Sequence, residues 1–160
     1  MPKTRKLALM AMFTAASLIV FVIEAQIPAP IPVPGVKLGL TNIVTLIAMV
    51  MLGRREAGLI LLVRIAMGSM FTGGVSAFIF SIAGGALAYA VMCLTLKLFP
   101  EKLLWVVSVL GAAAHNLGQL AAAIIITKTS SLMLYAPVLL ASAVVTGAMY
   151  LIRRLDKRVG

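Results

Sequence analysis

Long apolar runs separated by short polar breaks set the pattern of this chain. Six runs stand out, at about 7–27, 38–52, 56–71, 75–96, 103–126 and 131–152. Each stays apolar on all sides, whereas the strands of a membrane barrel alternate apolar and polar positions over about 10 residues. The pattern therefore predicts helices. Crossing a bilayer takes roughly 20 apolar residues per helix, so runs two and three are short and need thinning of the bilayer, shielding by neighbours or non-helical extensions. Between runs one and two lies IPAPIPVPG, with Pro28, Pro30, Pro32 and Pro34. Each proline fixes its own φ and biases the preceding residue toward extended backbone, so a stiff extended loop is expected. Gly53-Arg54-Arg55, Thr72-Gly73-Gly74, the segment 97–102 and Thr127-Lys128-Thr129-Ser130 supply the other turns.

Composition sharpens this pattern into a class. Of 160 residues, 62% are hydrophobic and 11% charged, against roughly 45–50% and 25% in soluble domains. An all-α integral membrane protein follows, a single membrane domain over 1–160 with six transmembrane helices. No length is left for a separate soluble catalytic domain. The net charge of +10 points away from nucleic acid because of where the basic residues sit. Six spans place Lys3, Arg5, Lys6, Arg54, Arg55, Lys97, Lys102, Arg153, Arg154, Lys157 and Arg158 on one side and only Lys37 and Lys128 on the other. Cytoplasmic loops collect Lys and Arg, so both termini are expected in the cytoplasm. A basic start before an apolar run also describes a signal peptide. Here the run to Ile23 is long for one and no A-x-A site follows, so an uncleaved first span is expected. The lone Cys93 lies within an apolar run and reads as filler.

Polar residues inside the runs carry the candidate chemistry, because charges in hydrocarbon are costly and by default mark function or a tight internal pair. Arg64 falls near the middle of run three. Glu24 ends run one, and Asn42 lies near the start of run two. In run five, His115 and Gln119 are spaced i,i+4 and Asn116 and Gln119 i,i+3, which places the three on one side of a helix. With Lys37 and Lys128 at the outer rim, they compose a substrate pocket opening outward near the proline loop. Each residue also has a packing alternative. A lone His in an apolar helix is more often a hydrogen-bonded packing residue than a ligand. Asn116 and Gln119 can serve as interhelical glue, worth about 0.6 kcal/mol each. Arg64 can pair with Glu24 and simply hold the bundle. Clustering at one depth tips the balance toward a pocket.

Small residues form rows at Ala77, Ser81, Gly85 in run four and Ala114, Gly118, Ala122 in run five. Such rows let helix backbones approach closely and point to internal packing. A further row, Ala11-x-x-x-Ala15, lies in run one. No catalytic constellation is visible: the carboxylates Glu24, Glu56, Glu101 and Asp156 are scattered, no aspartate pair is available to hold Mg²⁺ and a diphosphate, and no phosphate-binding loop is present for ATP. No cofactor, no metal site and no enzymatic activity are expected.

PGVKLGLTNIVTL (34–46), RIAMGS (64–69), FSIAGG (80–85) and above all GAAAHNLGQL (111–120) resemble the bacterial membrane family called Gx transporters, often labelled heptaprenyl diphosphate synthase component I. The resemblance runs in order over about residues 5 to 150. It implies a six-helix fold similar to the substrate-binding S components of energy-coupling factor (ECF) transporters. Such proteins capture a small nutrient or cofactor precursor from outside the bacterial cytoplasmic membrane, and a coupling membrane subunit with ATPase subunits drives its release inside. It also implies that Ala11 and Ala15 dock the coupling subunit, since S components often show such a row on the first helix. The alternatives are a non-catalytic membrane subunit associated with prenyl diphosphate or quinone synthesis, and a structural assembly factor.

Overall fold

A computed structural model of the chain describes residues 2–27, 39–72 and 74–144. Within them the backbone is helical throughout apart from short turns: α1 (Lys3–Gln26), α2 (Thr41–Leu52), α3 (Arg54–Thr72), α4 (Gly74–Leu98) and α5 (Leu104–Thr127), followed by a 3-10 turn at Ser130–Tyr135 and a helix α6 over 136–144. Three of these, α1, α4 and α5, are long and apolar enough to cross a membrane. α3 begins two residues before the expected run and takes Arg54 and Arg55 into its first turn. α2 begins at Thr41, three residues later than expected. The proline loop, Gly73 and residues 145–152 of run six lie outside the described residues.

Local chemistry explains the breaks. Gly53 separates α2 from α3 with φ +104, a left-handed value that L side chains rarely adopt, and its N–H closes α2 on the carbonyl of Met49. Run six reads as one apolar stretch, yet its start is a 3-10 turn. Pro137 has no N–H to give the carbonyl of Met133, so the N–H of Ala136 bonds that carbonyl instead, and the α-helix restarts with the proline in its first turn.

α5 is the most enclosed of the three long helices and packs chiefly along α4. The α5 row meets small residues of α4 there, though not the α4 row itself: a Cβ on Gly118 would sit 2.6 Å from the carbonyl oxygen of Ala83 and 2.9 Å from the Cα of Gly84, while Gly85 turns toward Ile65 and Leu61 of α3. The two helices therefore touch backbone to backbone. α1 packs on α3 and α2. Its N-terminus is tied to that of α3 by the Lys6–Glu56 ion pair, and the Tyr89 hydroxyl of α4 donates to the carbonyl of Arg54 at 2.8 Å. These contacts gather the basic starts of α1 and α3 at one end of the molecule. Toward that end lies an apolar cluster of Leu46, Ala48, Met49, Ala57, Ile60, Ala88, Met92 and Val107. Toward the other end lies a second cluster, of Phe80, Leu120, Ala122, Ala123 and Leu139.

Candidate functional site

Between the two apolar clusters the helices change character. Along α4, Phe80 belongs to one cluster and Ala88 to the other, and Gly84 and Gly85 fall between them. Along α5, His115 and Gln119 lie between Val107 and Leu120 in the same way. α3 brings Arg64 to this level and α2 brings Asn42. All four polar side chains are buried, with Arg64 1% exposed.

Glycines set how closely these groups meet. Gly39, just before α2, has φ +80, and a side chain there would begin 2.9 Å from Asn42 Nδ2 and 3.0 Å from His115 Cδ2. A Cβ on Gly84 would lie 2.8 Å from Gln119 Cγ and 2.9 Å from His115 Nδ1. One on the adjacent Gly85 would lie 3.7 Å from Arg64 Nη2. Gly39, Asn42, His115, Gln119, Gly84, Gly85 and Arg64 thus form one continuous polar core across four helices and the turn before α2.

Glu24 closes the core at the end of α1. Its Oε1 accepts hydrogen bonds from the backbone N–H of Gly39 and, at 3.3 Å, of Leu40. A carboxylate at the start of α2 answers orphan N–H groups and the positive end of the helix dipole. The same carboxylate acts electrostatically on Arg64, an interaction that low-dielectric surroundings strengthen. The guanidinium of Arg64 lies over the ring of Phe21, 5.6 Å from its centroid. Phe21 reaches that position because Gly68 of α3 has no side chain: a Cβ there would be 2.8 Å from the Phe21 ring.

Several polar atoms here are buried without hydrogen-bond partners among the described residues: both amide atoms of Asn42, and Nε and Nη2 of Arg64. Buried polar groups are normally bonded, and each one left unmade is destabilising by about 1–3 kcal/mol. The arrangement can therefore offer an incoming polar molecule donors from Arg64 and a donor and acceptor pair from Asn42.

The other expected site residues are placed differently. Asn116 points at the last helix, its Nδ2 donating to the carbonyl of Leu139 at 2.8 Å and to Ser142 Oγ at 3.2 Å. Lys128 is the left-handed cap of α5 (φ 53) and is exposed. Lys37 lies outside the described residues. Ala11 and Ala15 are exposed on α1. Phe21 and Ser17 escaped attention in the sequence because neither is charged, although 17, 21 and 24 follow one helical stripe, and all three are buried. An apolar groove of 510 Å³ between α3 and α4, lined by Gly58, Leu59, Leu62, Ile82 and Tyr89 with Arg55 at its edge, was equally invisible, since its apolar residues read as ordinary helix surface.

Apolar helices of spanning length around a buried polar core define a helical protein of membrane type. The sequence model of the family heptaprenyl diphosphate synthase component I matches residues 13–153, and the chain belongs to that family. No curated protein and no solved structure matches it.

Proposed function

We propose that this chain is a six-span protein of the bacterial cytoplasmic membrane, with both termini in the cytoplasm, that binds the substrate for an uptake system in the manner of ECF transporter S components. It captures a small polar or amphipathic nutrient or cofactor precursor from outside, and a coupling membrane subunit with two ATPases supplies the energy. The observation that carries this is the set of partnerless polar atoms on Asn42 and Arg64, buried between two apolar clusters. Asn116 commits its Nδ2 to Leu139 and Ser142 and leaves only Oδ1 without a partner, whereas Asn42 holds both amide atoms and Arg64 two nitrogens in reserve. Ala11 and Ala15 support the coupling part, because small exposed residues on α1 let a second membrane helix approach closely.

The family name favours a second reading, a membrane subunit associated with prenyl diphosphate synthesis. The only aspartate in the chain is Asp156, so an aspartate pair for a Mg²⁺-diphosphate would have to come from a partner. Affinity purification of the tagged chain from its own membranes in mild detergent decides between the two. Uptake predicts recovery of a coupling subunit and two ATPases, lost when Ala11 and Ala15 are both changed to Leu. Recovery of a prenyl synthase in their place contradicts it.

A further inference from the structure

Resting on the reading of this core as the substrate site, the geometry points to a carboxylate as the substrate's anchoring group, held side-on by Arg64. A guanidinium is planar, and its Nε–H and one terminal N–H₂ group share an edge that matches the two oxygens of a carboxylate. The two nitrogens of Arg64 without partners, Nε and Nη2, are the pair that defines this edge. The guanidinium carbon of the same group lies over the Phe21 ring, 5.6 Å from its centroid, so an apolar ring rather than a hydrogen-bond acceptor meets it there.

Charge narrows the class of anion. Arg64 is the one buried Lys or Arg among the described residues, and Glu24 is buried near it. A phosphate ester carries about −1.5 to −2 at neutral pH, which a single guanidinium beside a carboxylate does not offset in a low-dielectric site. A carboxylate brings one negative charge, which Arg64 matches because Glu24 has donors of its own in the N–H groups of Gly39 and Leu40 at the positive end of α2. Asn42, with a donor and an acceptor both partnerless, then serves a neutral polar group elsewhere on the same molecule, such as an amide or a ring nitrogen with its carbonyl.

The experiment is mass spectrometry of the compounds that organic solvent releases from the purified full-length wild type, Arg64→Lys and Asn42→Leu, before and after treatment with acidic methanol, which esterifies carboxylates and leaves phosphates unchanged. Expected is a compound enriched on the wild type that becomes a methyl ester, and that is depleted roughly tenfold or more on Arg64→Lys, which keeps the charge but loses one charge-assisted hydrogen bond of the fork. A compound that depends on Asn42 but is not esterified, or that persists undiminished on Arg64→Lys, overturns the carboxylate assignment and leaves the site in place. No compound dependent on Asn42 overturns both. If Arg64→Lys fails to fold, esterification of the wild-type compound alone decides the question.

Discussion

At the scale of single residues, the contrast between Asn42 and Asn116 separates binding from packing. Both are buried amides in apolar helices, and from sequence they look alike. Asn116 meets Leu139 and Ser142, so its amide links α5 to α6. Asn116→Leu removes that bond, and the Leu139 carbonyl keeps only the Ser142 hydroxyl, which donates to it at 2.7 Å. It is expected to lower the midpoint of thermal unfolding in detergent, by about 0.6–1.7 kcal/mol of stability on the range measured for interhelical bonds in a membrane bundle, with retention of a bound compound unchanged. Differential scanning fluorimetry beside quantitation of the released compound checks it. The polar residues themselves were legible in the sequence, since Glu24, Asn42, Arg64, His115 and Gln119 stand out in apolar runs and do meet. Their partners were not. Helical spacing puts 115, 116 and 119 on one side, but only the position of the last helix decides that 116 turns toward it.

At the scale of helices, the α4–α5 contact positions the site. Gly118 faces the backbone of Ala83 and Gly84, and Gly84 in turn carries His115 and Gln119 against it. A methyl group at 118 meets backbone rather than a flexible side-chain tip, so the helices must separate. Gly118→Ala is expected to destabilise the protein by about 1–3 kcal/mol, the usual range for overpacking, and to weaken ligand retention as well. Thermal unfolding and compound release measured on this variant test that coupling. The small-residue row around Gly118 was readable from its spacing, and the structure fills it as the packing reading expects. Backbone chemistry was harder to read. A hydropathy pattern sees run six as a single span, while the missing N–H of Pro137 turns its beginning into a 3-10 segment.

At the scale of the molecule, orientation rests on charge. Lys6 pairs with Glu56, and the basic starts of α1 and α3 share an end, as expected if that end faces the cytoplasm, where Lys and Arg accumulate. Reporter fusions placed after Arg158 and within the 127–130 turn are expected to label opposite sides of the membrane. Labels on the same side contradict a six-span chain. The helical class and five of the helices were legible because long apolar runs admit few alternatives. The way α1 stays peripheral while α5 is enclosed depended on which helices meet, and that is written in glycine contacts rather than in hydropathy.

The central claim, that the polar core between the two apolar clusters binds a substrate, is tested most directly by Asn42→Leu. Its amide has no partner to lose, and removing buried unsatisfied polar atoms relieves a desolvation penalty. The account predicts that compound retention, measured by mass spectrometry, is lost while the unfolding midpoint of the ligand-free protein stays the same or rises. A lower midpoint with retention intact would contradict it and make Asn42 part of the packing.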